Sequence, residues 1–269
     1  MLRTRVLTAV ALAAALLFVL FELPPAAGIA VLALIVLVGA WEWARFAGLA
    51  TTWTRLGYVL ATALLCALAW TATRANAQWQ ALMAVAAAWW GFAFLWLSLK
   101  PQVVTRLATG LAGFWVLVPA WVGLARLLAI EAPVRGATLL FYMLLLVWAT
   151  DVGGYFAGRR FGRLKLAPAV SPNKTWEGAI GGTLLALVVA GLGARWFGYP
   201  LLPFVALASV VVLSSMVGDL AESMFKRFAG LKDSGSLLPG HGGILDRIDS
   251  ITAAVPFFVL GLFWLGIVG

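Results

Sequence analysis

The chain has 269 residues, 64% of them apolar and 11% charged, with 14 Trp, 16 Phe and a mean hydropathy of +1.02. A soluble domain is about half apolar, so this composition excludes an ordinary soluble globule and points to an integral membrane protein. The single cysteine, Cys66, excludes an internal disulfide or a cysteine metal cluster, and the net charge of +9 is scattered at the ends of apolar runs rather than lining one face, which argues against nucleic acid.

A membrane-spanning helix needs about 20 apolar residues. Nine runs approach this in chain order, at 6–21, 27–44, 57–73, 79–99, 107–129, 137–158, 178–197, 201–222 and 251–268. The expected fold class is all-α, a polytopic integral membrane protein with about nine transmembrane helices. The first run is short and follows Arg3 and Arg5. A signal peptide cleaved near Ala26-Ala27 is the alternative there, but a retained helix fits the charge pattern better. With the N-terminus in the cytoplasm, 15 of the 19 Lys and Arg fall in cytoplasmic segments and 4 on the other side. That bias orients the chain, puts segments 159–177 and 223–250 both in the cytoplasm, and leaves the C-terminus outside.

The acids divide the chain. Seven of the ten lie at or beyond Asp151, and residues 1–130 contain only Glu22 and Glu42. Residues 1–130 therefore read as a transmembrane helical region without chemistry, and 131–269 as the catalytic region with its two cytoplasmic loops. Asp151 lies inside the sixth run, where a lipid-facing carboxylate costs about 3 kcal/mol or more. It must face a cation on a neighbouring helix or a polar cavity sunk into the cytoplasmic leaflet. Gly158–Arg163 then ends that helix with three arginines. They suit stop-transfer and anionic lipid, and they also place cations where an anionic headgroup arrives.

Ser171-Pro172-Asn173-Lys174-Thr175-Trp176-Glu177-Gly178 precedes the seventh run. It lacks Walker spacing, but it offers donors and a helix N-terminus to a phosphate. A plain N-cap with Glu177 in the first turn reads equally well. Asp219, Glu222 and Ser223 follow at i, i+3 and i+4 and share one helical face, with Lys226 and Arg227 one turn on. The segment 223–249 then supplies Lys232, Asp233, the only histidine His241 among glycines, and Asp246-Arg247-Ile248-Asp249. Two acid pairs at the ends of consecutive spans suit Mg²⁺, which takes few carboxylates plus substrate phosphates. Pairing with nearby cations or complementing a helix dipole accounts for each acid singly. These residues alone support a metal-assisted site for a phosphate-rich substrate reached from the membrane.

The Ser171–Gly178 segment matches, residue for residue, the Ser-Pro-x-Lys-Thr-x-Glu-Gly motif of the phosphatidate cytidylyltransferases, the CDP-diacylglycerol synthases. The set from Ser223 to Asp249 also resembles that family's signature. The likeness covers about residues 151–250 motif by motif. It implies transfer of a cytidylyl group from CTP to phosphatidic acid, giving CDP-diacylglycerol and pyrophosphate, with Mg²⁺ required and a second metal ion left open. The roles that follow are Asp219, Asp246, Asp249 and Asp151 for metal. Lys226, Arg227 and Lys232 fall to phosphates, with Asp233, His241 and Arg247 completing the catalytic set. Ser171, Asn173, Lys174 and Thr175, with Glu177 and Ser223, fall to the nucleotide. The implied partners are CTP, phosphatidic acid and membrane lipids, no nucleic acid, and, left open, a second copy as a homodimer. The implied location is a bacterial inner membrane with the site facing the cytoplasm. A CDP-alcohol phosphotransferase is disfavoured because its Asp-Gly-x2-Ala-Arg…Gly-x3-Asp-x3-Asp pattern is absent. A CTP-using enzyme for another lipid phosphate stays open. An ion-coupled transporter would place its acids at mid-membrane on several helices, whereas these gather at cytoplasmic ends.

Overall fold

The computed structural model describes residues 2–131, 135–238, 240 and 242–268. Nine helices carry the fold among them: α1 Leu2–Phe21, α2 Pro25–Phe46, α3 Thr52–Ala72, α4 Asn76–Leu99, α5 Arg106–Leu128, α6 Gly136–Phe161, α7 Trp176–Phe197, α8 Leu201–Phe228 and α9 Leu245–Trp264. Helices are the answer to a solvent that cannot hydrogen-bond the backbone. From α2 onward, eight are long and apolar enough to cross a membrane by length and composition. The polytopic all-α expectation holds.

Local chemistry sets the boundaries. Thr51, Thr105 and Thr175 cap α3, α5 and α7 by accepting the amides of Thr54, Ala108 and Gly178 at 3.1–3.2 Å. Pro25 starts α2, and Gly198 ends α7 in the left-handed conformation at φ +72°. In α5, 78% of the spanning stretch is buried, against 17% in α3. So α5 is the hub of the bundle and α3 faces lipid.

Two departures from the apolar runs matter for function. Helix α8 continues six residues past its run, to Phe228, because Met224, Phe225 and Lys226 remain buried there. Helix α9 starts at Leu245, six residues before its run. The expected loop 223–250 therefore contracts to 229–244. The other expected loop, 159–177, holds the small sheet of an otherwise helical fold. Strand β1, Lys165–Ala167, pairs antiparallel with β2, Ser171–Thr175, in the register Lys165↔Thr175 and Ala167↔Ser171.

Helices α6 and α7 approach backbone to backbone along Gly153, Gly154 and Gly158 on one side and Gly178, Gly181 and Gly182 on the other. A methyl group on Gly153 would come 2.6 Å from the carbonyl oxygen of Gly181. Small residues permit such approach between membrane helices, and here they also leave room for a cavity at the helix ends.

Candidate active site

A cavity of about 430 Å³ lies between α6, the hairpin, α7, α8 and the start of α9. Thr150, Asp151, Tyr155 and Arg159 line it from α6, Asn173 and Lys174 from β2, Ser215 and Asp219 from α8, and Ser250 from α9. Gly154, Gly158 and Gly178 form part of its wall, so substrate can meet backbone there. Asp151 lines this cavity together with Lys174. Lys174 forms an ion pair with Asp219, both about 30% exposed. The hairpin is thereby tied to α8, and Arg227 Nε adds a 3.4 Å hydrogen bond to the carbonyl of Val170. The two polar segments thus meet at one end of the bundle.

A second cluster lies behind this cavity and is closed to solvent. Lys226, 8% exposed, donates to Asp246 Oδ1 at 2.6 Å and lies 3.1 Å from Glu222 Oε1. Asp246 Oδ2 accepts from the amides of Ser234 and Gly243 at 2.9 and 2.8 Å, and Ser234 Oγ stands 3.0 Å away. Both Asp246 oxygens are filled by protein donors. Its neighbour one turn on, Asp249, accepts from the Ser250 amide at 2.7 Å. With Glu222 it lines a small gap among Trp43, Trp89, Trp90 and Phe225.

A third space of about 550 Å³ is apolar along most of its length. Leu12, Leu16 and Val19 of α1, Leu32 and Ile35 of α2, and Leu140, Leu144 and Trp148 of α6 line it. One end is polar, with Asp151, Asp246, Arg247, Asp249 and Ser250. Asp151 and Ser250 line both this groove and the polar cavity, so the two spaces meet at those residues.

The structure therefore sorts the expected site residues. Asp151, Asn173, Lys174, Thr175 and Asp219 converge on the polar cavity. Lys226 belongs to the closed cluster, Asp246 joins that cluster to the groove end, and Asp249 and Arg247 line the groove end. Thr175 also caps α7, and Glu177 accepts the Leu164 amide at 3.2 Å, clasping the chain ahead of the hairpin. Ser223 shares the Asp219 face of α8 but, like Ser171, Lys232 and Asp233, does not line the polar cavity. Lys232 and Asp233 are exposed on the 229–244 loop, and Arg227 is exposed and donates from Nη1 to the Leu231 carbonyl at 3.3 Å. His241 lies outside the described residues. Ser215, Ser250 and Tyr155 were not foreseen. Neither was Glu42, although it is a carboxylate inside an apolar run and meets the same criterion that singled out Asp151.

The metal expectation can be tested against this arrangement. No three His, Cys, Asp or Glu side chains among the described residues converge as a ready ligand set. Asp219 and Asp151 nonetheless share one cavity with Ser215, Asn173 and Ser250. Two carboxylates completed by substrate phosphates and water are what Mg²⁺ ordinarily takes. The donor set fits such an ion.

Comparison with known proteins agrees with the motif resemblance. Residues 3–265 match the model of the Cytidylyltransferase family. A phosphatidate cytidylyltransferase of Haemophilus influenzae is 41% identical over 96% of this chain and 97% of its own length. One from Pseudomonas aeruginosa is 40% identical over 98% and 97%. One from Bacillus subtilis is 46% identical over 48% of this chain and 49% of its own.

Proposed function

The chain belongs to the cytidylyltransferase family, and from that premise we propose how its cavities divide the work. It transfers the cytidylyl group of CTP to phosphatidate, giving CDP-diacylglycerol and pyrophosphate. CTP occupies the polar cavity, with its triphosphate near Lys174 and Arg159. The acyl chains of phosphatidate occupy the apolar groove, with the headgroup at its polar end beside Arg247. The observation that carries this reading is the junction of the two spaces at Asp151 and Ser250. A lipid and a water-soluble nucleotide can react there without either leaving its own medium.

In the reaction, a phosphate oxygen of the lipid forms a bond to the α-phosphorus of CTP. The bond from that phosphorus to the bridging oxygen of the β-phosphate breaks, and pyrophosphate leaves with the electron pair. The second pKa of a phosphomonoester is about 6, so the nucleophile is already ionised near neutral pH and needs no dedicated base. Repulsion between two anions dominates the barrier, and fixed cations lower it. Lys174 exchanges Asp219 for a phosphate oxygen, which keeps one positive charge on the triphosphate throughout. Asp219 and Asp151 are the residues that would hold Mg²⁺. When bound, the ion supplies charge neutralisation of the triphosphate. Asp246, its oxygens already filled, serves to hold Lys226 in place. Tyr155 and Arg159 flank the mouth on the α6 side. The site faces the cytoplasm, where CTP is, in accord with the bias of Lys and Arg toward this end of the bundle.

Purified protein incubated with CTP labelled at the α-phosphate, phosphatidate in mixed micelles and Mg²⁺ tests the reading. A chloroform-soluble labelled product, formed only with both substrates, is expected. Label staying in the aqueous phase would refute it. Omitting Mg²⁺ should abolish the product, and undiminished synthesis in excess chelator would remove the metal from the scheme.

A further inference from the structure

We propose that Glu42, on α2, is a positioning residue for this reaction. By fixing the start of α9 and the end of the 229–244 loop, it sets the first turn of α9, whose Arg247 stands at the polar end of the groove, and it brings a helix without motif residues into the support of the site. Glu42 is 4% exposed and sits in a helix whose only other charged side chain is Arg45. A buried carboxylate is tolerated only when well hydrogen-bonded. Glu42 accepts from the Ile244 amide at 3.1 Å, the Leu245 amide at 2.9 Å and Ser234 Oγ at 2.8 Å. The first two are amides at the start of α9, which have no partner inside the helix. The N-cap residue, Ile244, cannot supply one from its side chain. Glu42 therefore caps α9 from a different helix, with its negative charge at the positive end of the dipole.

Arg45, one turn along α2, donates to the carbonyl of Ser234 at 3.0 Å. Ser234 is thus held by α2 through both its hydroxyl and its carbonyl. Its amide donates to Asp246, and its hydroxyl lies within hydrogen-bond distance of both the Glu42 and the Asp246 carboxylates. A hydroxyl has one proton to give, so these two acids are coupled through it. Two glycines complete the fit: a side chain on either Gly235 or Gly243 would run into the Glu42 carboxylate. Glu42 lines neither the polar cavity nor the groove, so it acts through the first turn of α9, where Arg247 lines the groove end, rather than on substrate.

The inference rests on the cytidylyl-transfer reading above. The test compares full-length wild type, Glu42→Ala and Glu42→Gln in detergent. It measures kcat, the KM for each substrate, and the rate of tryptic cleavage after Lys232, which is exposed on the loop. For Glu42→Ala, kcat should fall about 10- to 150-fold, the loss expected for charge-assisted hydrogen bonds. Both KM values should stay within about threefold, and Lys232 should be cut faster. Glu42→Gln keeps the shape and one acceptor, so it should lose only about 2- to 12-fold in kcat. Wild-type kcat and unchanged cleavage in Glu42→Ala would overturn the proposal, as would raised KM values with kcat intact. If Glu42→Ala cannot be purified, Glu42→Gln decides, and wild-type kcat in that variant would reduce Glu42 to a folding role. Should wild type itself form no labelled lipid, the function fails rather than this inference, and the cleavage rates still report whether Glu42 holds the loop.

Discussion

Two ion pairs stand at the same end of the bundle, and they differ in how water reaches them. Lys174 and Asp219 meet in an open cavity with about 30% of each side chain exposed, while Lys226 and Asp246 are sealed at 10% and 8%. An exposed pair contributes little to stability and exchanges partners readily. A buried pair is costly to form, and removing one partner strands a charge. On the proposed reading, Lys174 and Asp219 trade each other for a phosphate and a cation. Lys226 and Asp246 are framework, held by Glu222, Ser234 and, through the loop, Glu42. Although both pairs come from the same kind of motif, Lys with Asp at a helix end, only packing tells the exchangeable one from the fixed one.

Removing charge from the open pair should give the largest kinetic effect. Asp219→Asn should lower kcat about 10²- to 10³-fold, the usual cost of deleting one preorganised electrostatic contact. Its thermal midpoint should stay near that of wild type. Measurement of both under saturating substrates checks this, and a large loss of stability would place Asp219 with the framework instead. In the closed pair the larger effect should be on stability. Lys226→Met leaves Glu222 and Asp246 buried without their cation, at a cost of about 3–5 kcal/mol. Lys226→Arg keeps the charge and should recover most of it, as read from thermal unfolding in detergent. The groove offers the smallest effect and a control on both pairs. Leu16→Trp narrows it from α1 and should raise the KM for long-chain phosphatidate by about tenfold. A short-chain analogue and CTP should be handled as in wild type.

Much of this was legible in the sequence because it is local. Apolar runs gave the helices from α1 onward, and Ser171–Gly178 with Asp219 marked the polar cavity. Asp151 was found because a carboxylate in an apolar run needs a reason. Glu42 satisfied the same test, but its reason lies about 200 residues away, in Ser234, Ile244 and Leu245, and no periodicity in α2 reports that. The ends of α8 and α9 were misjudged for a related cause. Residues 223–228 mix Ser223, Lys226 and Arg227 with Met224, Phe225 and Phe228, so hydropathy ends the run there, yet the helix continues because Phe225 packs on Trp43 at 5.3 Å and Lys226 finds Asp246. The hairpin at 165–175 is too short for an alternating pattern to declare it. Asp246 could be recognised as important, but its choice of partners among Lys226, Ser234 and Gly243 depends on how the loop folds back.

The distinction between an exchangeable and a fixed pair is tested most directly by CTP affinity set beside thermal stability in two variants. Equilibrium binding of CTP should weaken about 10- to 150-fold in Lys174→Ala, the loss of one charge-assisted contact, with the melting temperature within a few degrees of wild type. In Lys226→Met the melting temperature should fall sharply, while CTP affinity, measured below the onset of unfolding, should change by less than about threefold. The reverse pattern, with Lys174→Ala destabilised and Lys226→Met deficient in CTP binding, would contradict the assignment of the two pairs.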